Sequence, residues 1–349
     1  MKVQTINGHD YRLPNELNAF QLRMYTHLID WKWKHVTRDP GCYKYKGQQI
    51  QYDAILPVTS AAEKKMPHIY PPIKQNLVAH RERNPFRFHP HFRHMSSSQA
   101  ANINLFLPIL HNSSANDIFR ELRTDFAALA NDKLDRGYCL EFWGGNFGLD
   151  VFEKGLLGDK SARAGTDADI AIAYRNHQDE LCLWLIEHKL TENEFTACGG
   201  YKSKGRTDKL LHDCTQGFSQ ILTNKKTCYY HDKCGYKYWD ITDRHSDFFA
   251  NPKHAKCPFR GGMNQLWRNQ LLALAIEDQG TDYKHVHFSV VRHPENTALD
   301  ASLNAYKELI GNNQKFSDFT STDVLAAAEA CYDPAIASWA QWYREVYKL

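Results

Sequence analysis

Apolar residues recur at helical spacing over residues 18–33, where Phe20, Leu22, Met24, Leu28 and Trp31 predict an amphipathic helix. The turn Asp39-Pro40-Gly41 follows, then an alternation around Tyr43 and Tyr45 that suits a strand. Ser96-Ser97-Ser98-Gln99 has the residue types of a helix N-cap and leads into AANINLFLPIL. A second helix is predicted over 114–132, with Ile118, Leu122, Phe126 and Leu129 on one face. A strand over 138–143 precedes a glycine-rich loop, and two apolar strands over 169–174 and 181–189 are joined by the polar turn 175–180. Residues 191–260 are polar, rich in lysine and cysteine, and nearly aperiodic. A strong helix over 263–277, a buried strand over 285–292 and helical segments over 306–310 and 322–330 complete the pattern.

The strand at 181–189 changes character within its own length. Leu-Cys-Leu-Trp-Leu-Ile runs directly into Glu187-His188-Lys189 with no turn residue between. Side chains alternate along a strand, so Leu183, Leu185, Glu187 and Lys189 share one face while Ile186 and His188 take the other. Asp169 opens the preceding strand, at the end that antiparallel pairing brings beside Glu187. Two carboxylates and an ammonium are therefore expected at the rim of a sheet. Carboxylates held together repel unless a cation sits between them. Hard oxygen ligands suit Mg²⁺ or Mn²⁺, and a lysine aimed at the same point stabilises charge developing on a phosphate. That chemistry is phosphodiester hydrolysis. The plainer alternative is a surface hairpin with a Glu187–Lys189 ion pair worth about 0–1 kcal/mol.

The chain has 349 residues, 42% apolar and 24% charged, which allows one large domain or a catalytic domain with an accessory region. A net charge of +3 and a pI near 8.3 permit a nucleic-acid partner without arguing for one. No apolar run approaches the roughly 20 residues that span a bilayer, and the N-terminal MKVQTINGHDYRL lacks the apolar centre of a signal peptide. A cytoplasmic protein with no membrane association is the expectation. Nine cysteines, an odd count, do not make a complete disulfide framework.

Asp, a hairpin and then Glu-x-Lys at the end of an apolar strand resembles the PD-(D/E)XK nuclease superfamily, which includes many restriction endonucleases. Asp169, Glu187 and Lys189 carry the resemblance, with Glu192 in EHKLTE, the helix NQLWRNQLLALAIE, the segment SSSQAANINLF, a late strand ending in RHPEN and the tail around Phe316 and Phe319 in support. The superfamily's proline before the aspartate is absent. Thr166-Asp167-Ala168-Asp169 stands there instead, and Asp169 is preferred over Asp167 because the apolar run begins directly after it. The resemblance implies an α/β fold with a central mixed sheet flanked by helices over 96–349, a Cys/Lys-rich insertion at about 195–260 and an N-terminal accessory region over 1–95. It implies Mg²⁺ (or Mn²⁺) on Asp169 and Glu187, Lys189 acting on water and transition state, and a further upstream acid, with Glu141 first, Glu153 second and Glu121 third. It favours Gln265 over Arg268, two helix residues about one turn apart that either reach the site or a phosphate or simply form a polar helix face. It also implies a DNA endonuclease serving in restriction or anti-phage defence, with a homodimer as one way to cut both strands.

Two further features bear on partners. Cys198, Cys214, Cys228, Cys234 and Cys257 crowd the aperiodic insertion, and Cys214, Cys228, Cys234 and Cys257 are the candidate ligands for a structural Zn²⁺ or an iron–sulfur cluster. Lys202, Lys204, Arg206, Lys209, Lys225 and Lys226, followed by Tyr229, Tyr230, Tyr236, Tyr238 and Trp239, suit either a DNA surface or a charged face over an aromatic core. The stretch 81–94, RERNPFRFHPHFRH, offers the same choice between DNA contact and phenylalanines tucked inward. A repair, recombination or RNA nuclease, and a non-catalytic zinc-stabilised nucleic-acid-binding module, remain as alternatives.

Overall fold

The computed structural model describes residues 2–45, 47–58, 66–145, 154–161, 165–202, 214–252 and 257–349. Two small antiparallel hairpins, β1 (Lys2–Ile6) with β2 (His9–Leu13) and β3 (Gly41–Tyr45) with β4 (Gln48–Tyr52), flank helix α1 (Ala19–His35). Asn18 starts α1 with a reciprocal cap: its side chain accepts the Gln21 N–H at 2.8 Å, and Gln21 Oε1 accepts the Asn18 N–H at 3.1 Å. Helices α2 (Lys74–Arg83), α3 (Ser98–Leu110) and α4 (Ala115–Leu122) follow.

The central sheet has six strands: β5 (Phe126–Leu129), β6 (Tyr138–Phe142), β7 (Ala168–Asn176), β8 (Leu181–Lys189), β9 (His285–Arg292) and β10 (Phe316–Thr320). Its order is β10-β9-β8-β7-β5, with β6 also on β7. The β7–β8 hairpin is antiparallel, β8–β9 and β9–β10 are parallel, and β5 and β6 share the far edge of β7. Short helical turns at Gly199–Lys202, Phe218–Thr223, Tyr229–Asp232 and Tyr238–Arg244 follow β8; then α5 (Asn264–Asp278) precedes β9, α6 (Asp300–Leu309) joins β9 to β10, and α7 (Ser321–Glu329) and α8 (Pro334–Tyr347) close the chain. The fold is thus α/β, a central mixed sheet flanked by helices with small N-terminal hairpins.

The predicted helix over 114–132 ends early. Arg123 takes an extended backbone (φ −141°, ψ 116°), and Phe126–Leu129 leaves the helix as the edge strand β5. Phe126 stacks on Tyr174 with ring centres 5.0 Å apart, so pairing with β7 buries the apolar side chains that the helical spacing had grouped.

Each sheet face has its own core. Ile170, Ile172, Trp184 and Ile186 pack with residues of α3, α4, α7 and α8, and with Phe20, Met24 and Leu28 of α1. Phe20, Met24, Leu28 and Trp31 of α1 thus share a core with the sheet, while Tyr11, Leu13, Ile29 and Ala54 form a small cluster of their own. Ala171, Ala173, Leu183 and Leu185 pack on the other face with α5, α6 and the insertion's Phe218, Tyr238 and Trp239. Trp267 of α5 anchors that insertion, stacked on Phe259 at 4.0 Å and donating its indole N–H to Thr242 Oγ1 at 3.0 Å. No helix among the described residues is long and apolar enough to cross a membrane.

Candidate active site

The strand registers set three acids in a row. Leu140 of β6 lies opposite Ile170 of β7, which lies opposite Ile186 of β8. One step toward the rim on each strand come Glu141, Asp169 and Glu187. Alternation places Glu187 and Lys189 on the face of Leu183 and Leu185, at the point where the core beneath α5 gives way to a cavity of about 570 Å³. Glu141, Asp167, Asp169, Glu187, Lys189, Glu192 and Gln265 all line it.

Glu187 is nearly sealed off, at 4% exposure, and both its oxygens are held. Oε1 accepts from Lys189 Nζ at 2.8 Å and from Gln265 Nε2 at 2.6 Å, and Oε2 accepts from Asn269 Nδ2 at 2.9 Å. Gln265 and Asn269 are four apart on α5, so one helix face reaches down onto one carboxylate. Asp169 is steered by its own sheet, its Oδ2 accepting the His188 N–H at 2.7 Å. Glu192 Oε2 accepts the N–H groups of Leu190 and Thr191, fixing the chain as it leaves β8.

Burial and like charge raise the pKa of Glu141, Asp167, Asp169 and Glu187. Lost hydration, then the charges of Glu187 and Glu141, push the Asp169 carboxyl far above the usual range. Glu141 rises to about 8 through burial and the charge of Asp167, although Gln99 and Lys160 favour its ionised form. Burial raises Glu187 and Asp167 as well, against the pull of Lys189 and Lys160 respectively. Burial works against the Lys189 ammonium, but Glu187, Glu192 and Asp169 outweigh it and raise its pKa. Lys189 is a fixed cation at neutral pH.

Glu141 is also conformationally unusual. The β6–β7 ladder pairs Leu140 and Phe142 with β7 and skips Glu141, whose φ of 51° lies in the left-handed region. A non-glycine residue there costs about 1–3 kcal/mol, a strain that concentrates at functional sites.

The family model that matches residues 33–348 is described as Restriction Endonuclease associating with ARP. This chain belongs to that family. Membership in a restriction-endonuclease family makes it a nuclease, with DNA as substrate and a divalent metal as the implied cofactor. No curated protein and no solved structure matches the chain.

The donor set of this restriction-endonuclease family member fits such a metal. Its acids are hard oxygen ligands on one buried rim, where burial and the charges of Glu187 and Glu141 raise the Asp169 carboxyl, and Gln265 Oε1, on the cavity wall, is a buried acceptor without a hydrogen-bond partner. Among the described residues no three His, Cys, Asp or Glu groups are gathered around one point closely enough to hold an ion. The acids form a row along the rim, not a closed shell.

The other expected residues are spread more widely. Glu121 is exposed at the end of α4, away from the cavity, and Glu153 lies outside the described residues. Arg268 is not among the residues lining the cavity; its charge acts on Tyr238, Asp159, Tyr230 and Asp167. Asp167, the aspartate passed over in favour of Asp169, reaches the cavity too and pairs with Lys160 at 3.5 Å. Asn269 was missed, although its position one turn after Gln265 was a usable signal. None of the nine cysteines forms a disulfide, and Cys198, Cys228 and Cys214 act electrostatically on Cys257. Lys204, Arg206 and Lys209 lie outside the described residues, Lys225 is paired with Asp240 and Asp243, and Tyr238 and Trp239 are buried in the core. In the 81–94 stretch Phe92 is buried and Phe86 and Phe88 pack against the core, while His89, His91 and His94 face the cavity.

Proposed function

We propose that the chain hydrolyses DNA phosphodiesters at the rim of β7 and β8, using Mg²⁺ or Mn²⁺ held by Asp169 and Glu187, and that it acts in restriction of foreign DNA. The observation that carries this reading is the row Glu141–Asp169–Glu187 across three adjacent strands, with Lys189 in the same cavity. A bound divalent cation supplies positive charge for the phosphate and makes water more acidic. The chain's own residues do the rest. Gln265 and Asn269 orient Glu187, the His188 N–H orients Asp169, and Glu141 or Asp167 completes the acid set. Lys189 remains protonated, so its part is to stabilise negative charge on the phosphoryl oxygens as water adds and the ester oxygen departs.

Assays of Asp169→Asn, Glu187→Gln and Lys189→Ala on plasmid and linear DNA, with Mg²⁺, with Mn²⁺ and with EDTA, test this. Each variant is expected to cut at least about 100-fold more slowly than wild type, as for loss of one transition-state donor. EDTA should abolish cleavage. Undiminished cutting by any of the three removes this site from the reaction.

A further inference from the structure

The part of the cavity lining that comes from outside the sheet is built differently. It includes His89, His91 and His94, Tyr25 and Gln21 of α1, and the Ser96–Gln99 turn that opens α3. The imidazoles stand one after another, with ring centres 5.0 Å apart for His89 and His91 and 4.9 Å for His91 and His94. Alternation with phenylalanine explains the arrangement. Phe92 is buried and Phe88 packs against the core, which turns the histidines outward into the cavity. Backbone bonds from Leu56 to Arg93 O and from Met95 to Ala54 O pin the segment in place.

This wall has donors to spare. His91 Nδ1 is buried without a hydrogen-bond partner, and His89 Nδ1 is taken by the His91 N–H at 3.2 Å, leaving its Nε2 for another group. Gln99, 6% exposed, accepts the His89 N–H through Oε1 at 2.9 Å, while its Nε2 makes no hydrogen bond of full geometry although it leans toward Glu141. At the head of α3, a helix of 13 residues, Ser97 Oγ accepts the Ala100 N–H at 3.3 Å, and the N–H groups of Ser98 and Gln99 have no intrahelical acceptor and carry the helix's positive end. One cavity thus carries imidazoles and a helix head beside its acids and ammonium.

We propose that His89 and His91, together with Gln99 and the head of α3, bind a phosphodiester of the DNA strand adjoining the one that is cut. The inference rests on the nuclease reading of the same cavity and adds a second contact point on the substrate. His91 stands beside His89, His94 and Tyr43. Burial lowers the pKa of both rings, against the charges of Glu192 and Asp167 at His89 and with a smaller push from Lys189 there and from His89 at His91. They therefore act as neutral N–H donors to the phosphate oxygens, with His94 backing His91. Strand position and direction are set by this grip before the scissile phosphate meets the acids.

Fluorescence anisotropy decides it, using a short labelled duplex that wild type cleaves, with binding measured in EDTA and single methylphosphonates placed in turn at each phosphate around the cut. Wild type is expected to lose about tenfold in affinity at one position beside the scissile phosphate. H89N/H91N should bind the unmodified duplex about tenfold more weakly and show no further loss at that position. Wild type that cuts and binds DNA but shows no sensitive position beside the cut overturns the proposal alone. So does an H89N/H91N protein with wild-type affinity or an unchanged methylphosphonate profile. Wild type that neither binds nor cleaves any duplex overturns the nuclease reading with it. Thermal melting of the double variant checks folding, and should it misfold, the wild-type scan alone is decisive.

Discussion

Glu141 is one residue that meets three demands at once: it sits in the acid row, it is pushed to about 8, and its backbone is left-handed. At pH 7 such a carboxyl is mostly protonated, whereas holding a cation requires the carboxylate. Mg²⁺ binding at pH 7 should therefore expel a proton, and the release should fade once the pH passes about 8. Calorimetry in buffers of different ionisation enthalpy measures it directly, and a buffer-independent heat would take Glu141 out of the metal site. Stability follows the same sign. A carboxyl whose folded pKa exceeds its ordinary 4.5 costs stability as pH rises above that value, and the cost stops growing near 8. The metal-free protein should lose melting temperature between those limits, and Glu141→Gln should flatten the profile.

At the scale of elements, α2 is fastened to the start of β6 by His80, which is buried, and Arg83, which is exposed, both bonded to Asp135. His80 Nδ1 and Arg83 both bond Asp135, at 2.7 Å and 2.8 Å, while His80 Nε2 accepts the Leu140 N–H at 3.2 Å. Burial alone would raise the Asp135 carboxyl, but Arg83 and His80 hold it below its ordinary range. Its contribution is thus present above the unfolded pKa and lost as pH falls through the folded one. Asp135→Asn should cost about 1.5–3 kcal/mol at pH 7, read by denaturant unfolding, and the penalty should shrink in acid. The strands β7, β8 and β9 were legible in the sequence because each is a short apolar run bounded by polar turns. β5 was not, because residues four apart in a short apolar segment satisfy a helix as well as a strand edge. Within the site, Asp169, Glu187 and Lys189 were legible because they are local to one hairpin. The histidine wall was not, because its place depends on a bridge between Ile55 and His94, a pairing that no local periodicity announces.

Across the whole molecule, the first helix belongs to the same core as the sheet. Leu28 is fully buried among residues contributed by distant parts of the chain. Leu28→Ala should cost about 2–5 kcal/mol, seen as one cooperative unfolding transition moved to lower denaturant. A separate, earlier transition would show instead that the N-terminal part folds by itself. The same helix touches the end of β8: Gln21 Nε2 donates to Thr191 O at 2.8 Å, and Asn18 Nδ2 to Asn193 Oδ1 at 2.9 Å. Thr191 lies two residues past Lys189. A protein that gripped the outer side of this helix would hold a rein on the cutting end, able to slacken or tighten it from a distance with the acids left untouched.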